Sequence, residues 1–208
     1  WFLRRQCCGA SKEGDLMSVQ EVSAAGTSIW LDDLSRAKIT STEAHALPAR
    51  IKNSGVVGVT TNPSIFSAAI SGAAEYAADI AAMKSAPVDE VVKKLTTDDV
   101  RQACELFTSL YQATHGVDGR VSIEVDPRLA HDTEGTIAAG KELWSIIDRP
   151  NVMIKVPATL EGLPAITALI AAGISVNVTL IFSVKRYGQV IEAYMKGIEQ
   201  CEDPTQVH

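Results

Sequence analysis

From Gly26 onward the sequence predicts an α/β fold, a parallel sheet of the (β/α)₈-barrel kind represented by about five βα units. Three observations predict it. Short β-branched runs alternate with longer Ala- and Leu-rich helical patterns, which is the sequence form of βα units. Several of the runs are apolar with little alternation, as expected where both faces of a parallel sheet are covered. The chemically odd residues Asp32, Asn62, Glu124 and Lys155 stand at strand ends, and Asn177 and Thr179 stand in or near the end of the last run. In a barrel such ends converge on one mouth. An open doubly wound sheet also accommodates this many strands, but neither GxGxxG nor GxxxxGKS/T follows any strand, which removes the commonest function of that alternative.

The elements read in order as follows. Ser28–Asp32 forms the first strand, and helix-compatible sequence runs from about Thr40 to Asn53, with Thr40 or Ser41 as cap and Glu43 in the first turn. Val56–Thr60 is the second strand, broken by Asn62-Pro63 because proline disfavours helical geometry at the residue before it and opens helices itself. Helical pieces follow within Ala68–Lys84 and Asp98–Thr114, the latter capped by Thr97-Asp98-Asp99. Arg120–Val125, Asn151–Val156 and Ser175–Ile181 are the remaining strands. Their helices cover about 132–147, 161–171 and 184–199.

Composition bounds the function. With 208 residues and 46% hydrophobic content the chain holds enough apolar material for one core, so 26–208 reads as a single partial-barrel catalytic domain. Residues 1–25 read as an N-terminal extension of uncertain nature. A net charge of −6 and a pI near 5.2 argue against a nucleic-acid surface, while leaving room for a small anionic substrate. No apolar run approaches the roughly twenty residues needed to cross a bilayer. Cys7, Cys8, Cys104 and Cys201 lack the spacing of a zinc site or a disulfide framework. A reducing, cytoplasmic setting fits, with organellar targeting left open by Arg4-Arg5.

Each candidate residue has a bland reading beside the chemical one. Lys155 in an apolar strand is a snorkelling or ion-paired lysine, or a reactive amine. Asp32 is a capping residue or, at its strand end and facing away from Asp33, a general base. Glu124 is solvated or paired with Arg120 or Arg128, or lies near Lys155 and relays protons. Asn62 before Pro63 is commonly a turn residue. Asn177 is harder to dismiss, because a buried amide needs partners, and Thr179 shares its face. Asp126, Arg128, His131 and Asp132 read as capping and ion-pair residues rather than a metal site. Trp30, Trp144, Phe66, Phe107 and Phe182 read as core or pocket wall.

Five runs, Trp30–Leu34, Gly58–Ser64, Ser122–Asp126, Ile154–Thr159 and Ser175–Leu180, resemble transaldolase motifs in that family's order. The resemblance covers nearly everything from Gly26 and is nearest to the bacterial-type branch. It implies a class I aldolase-like barrel that moves a dihydroxyacetone unit between sugar phosphates, without cofactor or metal. The donor would be sedoheptulose 7-phosphate or fructose 6-phosphate, and the acceptor glyceraldehyde 3-phosphate or erythrose 4-phosphate. By resemblance Lys155 forms the Schiff base, Asp32 is the acid/base at cleavage, and Glu124 assists proton transfer through water with Thr179 completing its polar network. Asn62 and Asn177 hold substrate hydroxyls, with Thr60 a further pocket candidate.

The family carries a further serine- and phenylalanine-containing strand motif with an arginine soon after it. The last three strands and much of the phosphate recognition are therefore expected beyond His208, and little or no turnover from these 208 residues alone. A Schiff-base aldolase and a non-catalytic barrel are the competing readings. Whether Asp32, Glu124, Lys155, Asn177 and Thr179 come together separates the last from the enzymes.

Overall fold

The computed structural model describes residues 19–208. Five strands, β1 (Ile29–Asp32), β2 (Val56–Thr60), β3 (Arg120–Glu124), β4 (Val152–Pro157) and β5 (Val176–Thr179), form one sheet in chain order. All four pairings are parallel. Parallel neighbours need a crossover, and every connection is helical. α1 (Val19–Ala24) precedes the sheet, and α2 (Arg36–Thr40) and α3 (Leu47–Asn53) join β1 to β2. Next come α4 (Pro63–Ile70), α5 (Ala77–Ala82) and α6 (Val88–Ala113), then α7 (Thr133–Ile147), α8 (Gly162–Ala171) and α9 (Val184–Gln200). The sheet curls into a half-barrel with the helices outside, as an incomplete (β/α)₈ barrel does. The expected extension 1–25 and Cys7 and Cys8 lie largely outside the described residues; α1 is its described part.

Register and alternation divide the sheet into two chemically different faces. Side chains of paired residues in parallel strands point the same way, and successive residues point opposite ways. Val59, Val121, Ile123, Ile154 and Val156 share the convex face, all nearly or fully buried beneath the helices. The concave face carries Trp30, Asp32, Thr60, Ser122, Glu124, Lys155, Asn177 and Thr179. Gly58 belongs to that face because a Cβ there would stand 2.5 Å from the Trp30 ring. At the far edge, Val176 N–H donates to the His208 carbonyl at 3.0 Å, so the last residue lies alongside β5.

Three expectations are corrected. The helix expected over 40–53 is shorter: Thr40 ends α2 with Ser41 as its C-cap, and the chain becomes helical again only after Ala46, in α3, which has Pro48 in its first turn. The turn around Ser41–Ala46 takes the chain from α2, packed on α6, to α3, packed on β2. The helix expected from Asp98 starts ten residues earlier, at Val88 behind Pro87, so Thr97, Asp98 and Asp99 are interior rather than capping. Asp99 is fully buried there. Phe182, expected in the core or pocket wall, is 86% exposed beside α9. Asp132 does cap α7, through Gly135 N–H at 2.9 Å. No helix among the described residues is long and apolar enough to cross a membrane.

α8 and α9 approach closely because Gly197 lies against Ile170 and the Thr167 carbonyl. A Cβ at Gly197 would stand 2.6 Å from the Ile170 Cβ and 2.9 Å from that carbonyl oxygen. Gly188, in the same helix, has nothing within 4 Å of its added Cβ. Gly197→Ala should therefore lower stability by about 1–3 kcal/mol through overpacking. Gly188→Ala should raise it by roughly 0.5–1 kcal/mol through helix propensity. Thermal unfolding of both variants checks the pair; equal shifts would mean that α9 does not pack as described.

Candidate active site

Lys155 occupies the middle of the site because β4 lies between two partners. Glu124 on β3 and Asn177 on β5 sit directly across from it in register. Its ammonium nitrogen is 3.5 Å from Glu124 Oε2, with the two side chains 13% and 16% exposed. Lys155 Nζ also donates to the Thr61 carbonyl at 3.1 Å, which orients the amine toward the β2 side of the concave face. Glu124 thus meets Lys155, not the arginines. Arg120 donates to the Gly116 carbonyl and stacks on Tyr111, and Arg128 pairs with Asp126 and Asp89. The contact of Lys155 with Glu124 is longer than a hydrogen bond, so the amine is not locked onto the acid.

A chain of hydrogen bonds crosses the concave face beside the pair. Asn177 Nδ2 donates to Ser122 Oγ at 3.2 Å, and Ser122 Oγ donates to Thr60 Oγ1 at 3.0 Å. The direction has consequences. With one amide N–H engaged, Asn177 keeps its oxygen as acceptor, and Thr60, having accepted a hydrogen bond, keeps its own hydroxyl hydrogen to donate. Fully buried Ser122 is anchored from behind, its carbonyl accepting from Thr61 Oγ1 at 2.8 Å.

The outer candidates are placed with different degrees of freedom. Asp32 ends β1 opposite Thr60 and its side chain is exposed. It does not cap α2; Ser35 does, accepting from Lys38 N–H. Asp33 turns away into an ion pair with Lys38. Asn62 caps α4, its Oδ1 accepting from Ile65 N–H at 3.0 Å, which leaves the amide nitrogen as the part able to reach a ligand. Thr179 ends β5 on the same face as Asn177, and makes no direct hydrogen bond to Glu124. The chain leaves β5 sharply, with Leu180 in the left-handed region at φ 60°. A cleft of about 640 Å³ between α4, α6, α7 and the end of β3 has Asn62 and Glu124 on its wall but not Lys155. The amine faces the concave side of the sheet instead.

Residues 29–205 match the family model described as Transaldolase/Fructose-6-phosphate aldolase. The chain belongs to this family. It is 56% identical over 184 residues to a transaldolase of Mycolicibacterium smegmatis, covering 88% of this chain and 49% of that protein. A transaldolase of Saccharopolyspora erythraea is 54% identical over 187 residues, 89% of this chain and 50% of the relative. One of Acidothermus cellulolyticus is 57% identical over 183 residues, 87% and 48% respectively. The chain therefore spans about half the length of the curated relatives it matches.

Two members of this candidate site escaped the sequence reading. Ser122 carried a usable signal: it is polar, two residues before Glu124, and therefore on the same face of a strand buried on both sides. The Thr61 carbonyl carried none, because a backbone oxygen has no side-chain signature. Ser122→Ala would strip Asn177 of its acceptor and Thr60 of its donor in a buried setting. It should cost about 1–3 kcal/mol in stability, read by denaturant unfolding; an unchanged midpoint would mean that the bond chain does not hold the face together.

Proposed function

We propose that the chain carries the Schiff-base centre of a transaldolase, with Lys155 as nucleophile. The observation that carries this reading is the placement of Lys155 against Glu124 and across from Asn177, with Asp32 and Thr179 on the same face at strand ends. A scaffold has no need of an amine, two carboxylates and an amide on one face of a sheet. Family membership supports the same reading.

The reaction runs as follows. The neutral Lys155 amine adds to the ketose carbonyl carbon, and the carbinolamine loses water to give a protonated imine. Glu124 moves the protons of these steps through a water molecule that Thr179 helps to hold. Asp32 accepts the proton of the hydroxyl on the fourth carbon as the bond between the third and fourth carbons breaks, and the electron pair passes into the iminium to give an enamine. The aldose phosphate leaves. An acceptor aldehyde phosphate then enters and the steps reverse, the new ketose being released by hydrolysis. The Asn177 oxygen accepts, and Thr60 and the Asn62 amide donate, to hydroxyls of the bound three-carbon unit.

Donors of this reaction are sedoheptulose 7-phosphate and fructose 6-phosphate, and acceptors glyceraldehyde 3-phosphate and erythrose 4-phosphate, which places it in the non-oxidative pentose phosphate pathway. A reducing, cytoplasmic setting accords with Cys104 and Cys201 being free thiols, Cys104 pushed up to about 12 by burial and so unreactive.

The test uses a full-length protein in which this chain is continued by the second half of the Mycolicibacterium smegmatis relative. Fructose 6-phosphate with borohydride should place a reduced adduct on the peptide containing Ile154-Lys155-Val156. Lys155→Arg should abolish it, since guanidinium stays protonated. A stable adduct on another lysine, or normal turnover by Lys155→Arg, would reject the nucleophile. Dihydroxyacetone released rapidly without acceptor would replace the transferase by an aldolase, the other activity in the family's description.

A further inference from the structure

A closed ring of buried polar contacts lies outside the site, behind the turn that follows β1. Asp99, fully buried in α6, accepts from Arg36 Nε through Oδ1 at 3.0 Å and from the Tyr76 hydroxyl through Oδ2 at 2.6 Å. The Tyr76 hydroxyl in turn accepts from the Arg36 backbone N–H at 2.9 Å, and the Arg36 guanidinium lies over the Tyr76 ring at 4.6 Å. Arg36 also reaches the Asp79 carboxylate at 2.5 Å and the Glu75 carbonyl at 3.2 Å. Burial pulls Arg36 down, but its hydrogen bonds to Asp79 and Asp99 outweigh that and leave it raised. Burial raises Asp99, against the bonds from Tyr76 and Arg36. The ring is thus a desolvated ion pair whose lone pairs are taken up by neighbours.

What the ring holds is the turn carrying Asp32. Arg36 opens α2, four residues after Asp32, and the intervening residues have little slack: Leu34 is 1% exposed, Asp33 is paired with Lys38, and Ser35 caps α2. Asp32 is the last residue of β1, with its side chain exposed, and the register of β1 with β2 shifts between Ile29 and Trp30. The Asp32 carboxylate therefore stands where the sheet gives way to the turn, and the turn shares in setting its position. We infer that Arg36, Tyr76 and Asp99 are positioning residues for Asp32, pinning the turn after β1 to α6 and setting where the carboxylate stands at bond cleavage. This rests on the proposed transfer reaction.

The inference separates two steps that the site otherwise performs together. Imine formation needs Lys155 and Glu124 and does not use Asp32; cleavage does. Tyr76→Phe keeps the ring under Arg36 and removes only the hydroxyl, and Asp99→Asn keeps the shape of the carboxylate. In the full-length protein, both variants should lose roughly 10- to 100-fold in turnover, the order expected for misplacing a group by about an ångström. Borohydride trapping of fructose 6-phosphate on Lys155 should remain at the wild-type level. Gly197→Ala, which loosens α8 against α9 far from the ring, serves as the control for lost stability and should leave the ratio of turnover to trapping unchanged. Trapping that falls in step with turnover in the ring variants, turnover that stays at the wild-type level, or the same altered ratio in Gly197→Ala would overturn the positioning role. A wild-type protein that shows no adduct at all would instead strike the Schiff-base reading, and the positioning role with it.

Discussion

The chemistry of this chain depends on the register of a parallel sheet. A one-residue slip sends every side chain of a strand to the other face. In β4 it would drive Lys155 among the helices and turn Ile154 into the concave side. The slip is resisted by the convex face, where Val59, Val121, Ile123, Ile154 and Val156 are at most 3% exposed. Each such side chain is worth about 1.5–3 kcal/mol when fully buried. The apolar face, which has no chemistry of its own, therefore decides where the amine, the carboxylates and the amide stand.

The concave face meets the opposite problem, polar groups that are partly or wholly buried. It is met internally. Asn177, Ser122 and Thr60 satisfy one another in sequence, and Lys155 is held between the Glu124 carboxylate and the Thr61 carbonyl. Such groups keep one orientation before any ligand arrives, so less ordering remains when a substrate binds. The arrangement also contains a tension. Nucleophilic attack needs an uncharged amine, and the carboxylate paired with Lys155 is the same group proposed to carry protons during imine formation. A contact of 3.5 Å leaves that exchange accessible.

Much of this was legible in the sequence, and the failures have physical causes. The β strands and most helices were marked by β-branched runs, by Asn62-Pro63 and by Asp132 ahead of its helix, signals that act locally. The long α6 was misread because Thr97-Asp98-Asp99 has the composition of a cap. Tertiary partners, Arg36 and Tyr76, allow Asp99 to sit inside the helix, and no local pattern reports them. The break between α2 and α3 was missed for a similar reason, since Ser41 and Glu43 resemble a helix start. At the site, side chains with unusual chemistry for a strand, Lys155 and Asn177, announced themselves. Ser122 did not, because serine is unremarkable until its neighbours in three dimensions are known.

The central claim is that a substrate bound at Lys155 lies on the concave face, between the carboxylate ending β1 and the amide of β5. A crystal structure of the full-length protein, reduced with borohydride in the presence of fructose 6-phosphate, tests it most directly. The account predicts electron density continuous from Lys155 Nζ into a three-carbon unit, with its hydroxyls near Asp32 and the Asn177 oxygen. Density extending into the cleft between α4, α6 and α7, with Asp32 and Asn177 unengaged, would contradict it.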